Sequence, residues 1–87
     1  MRESFIEKKV VQDALSKGWI TFKWVSASQR GVPDRLFFKD SKLVIAEFKA
    51  PGKKPTKYQE AIHRKLLKVG FTVFIIDDIQ AAKKILC

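Results

Sequence analysis

The chain has 87 residues, 46% of them hydrophobic, which is enough for one domain with one core and too little for two. Eighteen Lys and Arg against nine Asp and Glu leave a net charge of +9, which favours a polyanionic partner, most simply nucleic acid; a generic soluble basic protein is the plainer reading. A single cysteine, Cys87, excludes an internal disulfide and any multi-cysteine zinc site, and no apolar run approaches the roughly 20 residues that span a bilayer. The charged opening Met1-Arg-Glu-Ser-Phe-Ile-Glu-Lys-Lys is unlike a signal peptide, so the expected setting is cytoplasmic and reducing, without a membrane partner.

In chain order, the spacing of Ile6, Val10, Val11, Ala14 and Leu15 predicts a first helix over Ser4–Lys17, stopped by Gly18. Glu7 lies at the start of its inward face. It either completes a Ser4-x-x-Glu7 capping box or points toward the sheet as an acidic ligand. Trp19 to Ser26 alternates and predicts a strand, with Ile20, Phe22 and Trp24 sharing one face. A polar loop carrying Arg30 follows and reaches Gly31-Val32-Pro33-Asp34. Pro33 keeps its predecessor extended and has no N–H for a ladder, which suits a strand entrance and puts Asp34 at the strand's first position.

Two apolar runs, Arg35–Lys39 and Lys42–Ala46, flank Asp40-Ser41 and predict a β-hairpin. With those two residues as the loop, Leu36 opposes Ile45 and Asp34 opposes Glu47, whose side chains then share a face. Lys49, two residues past Glu47, falls on that face as well. After the turn-rich Ala50–Pro55, which carries Lys53 and Lys54, Thr56-x-x-Gln59 forms a capping box for a helix ending at Gly70. Its inward stripe is Ile62, Leu66 and Val69, with Gln59 one turn earlier; His63, beside it, reads as structural or phosphate-facing rather than as a metal ligand. The almost continuous apolar run Phe71–Ile76 predicts a central strand buried on both faces, and Asp77 and Asp78 cap a last helix over Ile79–Leu86. The order α-β-β-β-α-β-α implies a mixed four-stranded sheet flanked by helices, the strand–helix–strand unit making a right-handed crossover.

Two carboxylates side by side repel unless a proton or a divalent cation lies between them, and Lys49 neutralises only one. A salt bridge at a sheet edge is the alternative, and a small basic binding module with a structural acidic cluster is the non-enzymatic reading of the whole chain.

Glu7, Gly31-Val-Pro-Asp34, Glu47-Phe-Lys49 and Gln59, in that order, resemble the PD-(D/E)XK nuclease superfamily. Within it, the chain resembles the small stand-alone VRR-NUC (virus-type replication–repair nuclease) domains, over nearly its whole length. The resemblance implies a single nuclease domain over residues 1–87 with a restriction-endonuclease-like α/β fold. It implies Mg²⁺ or Mn²⁺ held by Asp34, Glu47, the Phe48 carbonyl and Glu7, or by a water in place of Glu7. Lys49 would orient or deprotonate a water or stabilise developing charge, and Gln59 would position the lysine or water. The expected activity is phosphodiester hydrolysis by a DNA endonuclease with no small-molecule cofactor. Branched or four-way DNA is the favoured substrate, because such small relatives resemble archaeal Holliday junction resolvases and tend to be dimers. An alternative is a nuclease subunit acting only inside a larger assembly. Arg30, Arg35, Lys53, Lys54 and Lys57 are the candidate nucleic-acid contacts, and Trp19, Trp24 and the last helix the candidate homodimer patch.

Overall fold

A computed structural model describes residues 1–87. Its elements are α1 (Glu3–Ser16), β1 (Ile20–Lys23), β2 (Arg35–Lys39), β3 (Lys42–Phe48), α2 (Lys57–Lys68), β4 (Val73–Ile76) and α3 (Ile79–Ile85), in the expected order. They form one sheet in the order β1-β2-β3-β4, antiparallel except for the parallel β3–β4 pair that α2 connects. No helix is long and apolar enough to cross a membrane.

The hairpin forms in the expected register. Asp40 and Ser41 both take positive φ (50° and 63°), as a two-residue loop of the I′ kind requires, and Leu36 pairs with Ile45. Alternation along these strands then sorts the sheet into two faces. Phe37, Val44, Ala46, Phe48 and Ile76 pack with Ile6, Val10 and Ala14 of α1 and Ala82 and Leu86, which form the main core. The opposite face carries Leu36, Ile45 and Glu47 and is covered by α2 only in part. There Trp24, Leu36, Leu43, Ile45, Leu66 and Phe71 line an apolar cleft of about 220 Å³. Toward the β1 edge this face lies open, and Ile20 and Phe22 are 56% and 60% exposed.

Three expectations are corrected. First, β4 is an edge strand, paired with β3 alone, and Ile75 is 45% exposed. An apolar run signals low polarity, but strand order decides whether a neighbour covers it. Second, α1 begins at Glu3 with Arg2 as its N-cap and no side-chain cap. Ser4 therefore lies inside the first turn and forms no capping box with Glu7. Third, Trp19 is buried, its indole N–H donating to the Cys87 carbonyl at 3.3 Å, and α3 spends its apolar face on the core. Neither supplies an open dimer patch. The C-terminus of α1 and the start of α2 behave as expected: Gly18 takes φ +95° while Trp19 N–H donates back to the Ala14 carbonyl at 3.0 Å. Thr56 and Gln59 form a complete capping box for α2.

Candidate active site

The site is assembled where β2 enters the sheet, β3 leaves it and α2 begins. The Asp34 N–H donates to the Ala46 carbonyl at 3.0 Å, which fixes the strand entrance against β3. The Asp34 carboxylate in turn accepts the Phe48 N–H at 2.7 Å through Oδ2. Asp34 is thus gripped from both sides of Glu47, and the two acidic side chains are neighbours as the hairpin register requires.

Glu47 is the most unusual side chain in the molecule. It lies at the end of the most buried strand and is only 1% exposed. Gln59 Nε2 donates to its Oε2 at 2.9 Å, while Oε1 has no hydrogen-bond partner. Burial first, and the Asp34 charge beside it next, push its pKa up to about 8, against a downward pull from Lys49 and with a lesser upward push from Glu3. A buried carboxyl with an unpaired oxygen next to a second carboxylate is a site that gains when a cation arrives.

Gln59 uses both ends of its amide. Its Oε1 accepts the Thr56 N–H at 2.9 Å in the capping box, so the helix cap itself aims the Nε2 donor at Glu47. The resemblance has this residue position a lysine or a water; in the structure it holds a carboxylate. Lys49 follows on the same strand face, half-buried and outside every ion pair. Its charge acts on Glu47 and also on His63.

Glu7 is not brought to this pair. Its Oε2 accepts from Arg35 Nε at 2.7 Å, a half-buried ion pair between α1 and β2. The α1 carboxylate whose charge reaches Glu47 is that of Glu3. No three acidic, histidine or cysteine side chains gather closely enough to cage an ion by themselves. The same ion pair engages Arg35, which therefore differs from the other expected nucleic-acid contacts. Lys53, Lys54 and Lys57 are exposed and unpaired, and Arg30 lies over the Tyr58 ring.

One neighbour of the site was not expected. His63 is one helical turn beyond Gln59, and its Nε2 faces the unpaired Glu47 Oε1 at 3.6 Å, too far for a hydrogen bond. Burial holds its pKa below the ordinary histidine value, against an upward pull from the Glu60 charge and with a smaller downward push from Lys49. The i, i+4 spacing from Gln59 was the available signal. A second basic feature also stood outside the expected contacts: Arg64, Lys65 and Lys68 line the molecule's largest groove, about 510 Å³, with Ala61 and Leu67 on the outer face of α2.

Asp34 at the head of one antiparallel strand, Glu47-x-Lys49 at the end of the next, and helices on both faces of a mixed sheet define the PD-(D/E)XK nuclease fold. No protein-family model matches the chain. The solved structure named "VRR_NUC domain" superposes with a TM-score of 0.86, covering 95% of this chain and 91% of that one at 22% identity. The protein named "Putative nuclease p44", from Acyrthosiphon pisum secondary endosymbiont phage 1, is 44% identical over 79 residues, 90% of this chain and 85% of that protein. The chain belongs to the same family as this phage protein and has the fold of the VRR-NUC domain.

Proposed function

We propose that the protein is a Mg²⁺- or Mn²⁺-dependent DNA endonuclease that hydrolyses phosphodiester bonds and prefers branched or four-way DNA. The observation that carries the reading is Glu47: buried, held beside Asp34, with one oxygen unpartnered and Lys49 two residues on along the same strand face. Hard divalent ions select such carboxylate oxygens. Asp34 and Glu47 would hold the ion, together with the carbonyl of Phe48, the residue that follows Glu47. When bound, it supplies a polarised phosphate and a water of lowered pKa.

The protein's own groups do the rest. The Phe48 N–H holds one Asp34 oxygen and the Gln59 amide one Glu47 oxygen, leaving Glu47 Oε1 unpaired for an ion. The α2 cap thereby serves as a positioning device, since Gln59 cannot swing away without giving up the Thr56 N–H. Lys49 is the one ammonium beside the pair. It has no competing partner, so it is free to orient the attacking water or to stabilise charge developing on the phosphate. Lys53, Lys54 and Lys57 project from the loop and helix start just beyond it, where they would follow a phosphate backbone away from the cut.

The test is a cleavage panel of single-stranded, duplex, flap and four-way DNA with Mg²⁺ or Mn²⁺, run on the wild type and Lys49→Ala. The reading predicts metal-dependent cutting, highest on branched substrates. It also predicts that Lys49→Ala abolishes cutting while DNA affinity stays close to wild type. Parallel losses of affinity and rate would reduce Lys49 to one more phosphate contact, and cutting indifferent to metal would overturn the reading itself.

A further inference from the structure

The loop between β1 and β2 is clasped to the start of α2, and Gly31 is what permits it. Its φ is +88°, and a Cβ there would lie 2.6 Å from the Tyr58 carbonyl oxygen and 3.0 Å from the Gln59 nitrogen. That approach lays the neighbouring Arg30 across the Tyr58 ring, with the guanidinium carbon 4.0 Å from the ring centroid. The loop is braced from within: Ser26 Oγ accepts the Gln29 N–H at 3.1 Å, and the Gln29 side-chain amide donates to the Arg30 carbonyl at 3.1 Å. Tyr58 is equally fixed, standing in the first turn of a helix with a complete capping box.

Neither member of this stack serves the core. Tyr58 is 54% exposed, and Arg30 is exposed with no carboxylate partner. The guanidinium carbon lies over the phenol ring, and both residues are exposed. The stack also sits one residue from Gln59, whose amide holds Glu47, so its distance to the carboxylates is set by a short, rigid path. A planar cation backed by an aromatic ring, beside a row of free lysines, has the chemistry of a surface on which a nucleobase stacks.

We propose that the Arg30–Tyr58 stack is a platform for one unpaired nucleobase next to the scissile phosphate, and that it confers the preference for branched DNA. The proposal rests on the nuclease reading and adds the device that distinguishes unpaired from paired substrate. A base inside a duplex is already stacked on both sides and cannot lie on the platform. A base at a branch or in a single strand has a free face.

The experiment measures binding in EDTA, so that cutting plays no part. Two DNAs are compared: a fork with 2-aminopurine in its unpaired arm beside the junction, and a fully paired duplex of the same length. Wild type quenches the 2-aminopurine on binding. Tyr58→Ala loses the quench and weakens fork binding by roughly tenfold, as loss of one stacked base does, while duplex affinity is unchanged. Tyr58→Phe behaves as wild type, and Arg30→Lys, which keeps charge but loses the plane, gives up quenching while retaining duplex affinity. Equal weakening on fork and duplex, or undiminished quenching in Tyr58→Ala, overturns the platform and leaves Arg30 a phosphate contact. Failure of the wild type to bind either DNA overturns the nucleic-acid reading along with it. Thermal unfolding of each variant confirms that the exposed substitutions leave the fold intact.

Discussion

The site turns on Glu47, a carboxyl whose chemistry is set by burial before any other influence. Unfolded, such a side chain titrates near 4.5; folded, it holds its proton up to about pH 8. Between those values the folded state binds a proton that the unfolded state has released, so the slope of unfolding free energy with pH is negative. The contribution is fully present below about pH 4.5 and is lost as pH rises through 8, on the order of a few kcal/mol in all. Metal-free protein should therefore show a melting temperature that falls from pH 5 to pH 8, and Glu47→Gln, which is neutral throughout, should flatten that fall. Thermal melts across the range check it; an identical slope in the variant would mean that Glu47 is not the group. What the residues themselves could reveal divides along the same line. Asp34, Glu47 and Lys49 were legible because a two-residue loop fixes which side chains oppose each other. The partners of Glu7 and Gln59 were not, because they depend on how helices dock: Arg35 takes Glu7, and Gln59 reaches a carboxylate. His63 was read as structural or phosphate-facing, and its approach to Glu47 was not legible because a single histidine has no spacing pattern beyond its place one turn after Gln59.

At the scale of elements, the hairpin is the part on which the register of the site depends, and it carries a visible strain. Asp40 and Ser41 both occupy left-handed backbone, at φ 50° and 63°, where glycine is at ease and a serine is not. Ser41→Gly should therefore stabilise the protein by about 1 kcal/mol, seen as a melting temperature higher by roughly 4–8 °C for a domain of this size. A decrease would show that the Ser41 side chain makes a contribution larger than the backbone strain. Helix and strand identities were readable from periodicity, and so was their order. The position of β4 was not. Its run Val73-Phe-Ile-Ile76 has the composition of a central strand, yet with four strands in the order β1-β2-β3-β4 nothing lies beyond it. Composition reports what a segment would prefer to bury; topology decides what it does bury.

Across the whole molecule, the same limitation relocates the expected assembly surface. The open apolar area is on the α2 face of the sheet, where Ile20 and Phe22 of β1 are exposed and Leu43 and Phe71, themselves partly exposed, line the cleft on the same face. A second copy laid on this face would bury it and align two sites for a two-strand cut. Light scattering at micromolar protein is expected to give a species of twice 10.0 kDa, and Phe22→Asp to reduce it to one; a wild type that scatters as a monomer both free and with DNA removes the dimer and leaves the nuclease. The central claim is more local than assembly or substrate: Asp34 and Glu47 hold one divalent ion between them. Its most direct measurement is a calorimetric titration with Mn²⁺ at pH 8 on the wild type, Asp34→Asn and Glu47→Gln, with folding confirmed for each. The account predicts saturable binding in the wild type that disappears in both variants. Binding that survives unchanged in both would contradict it.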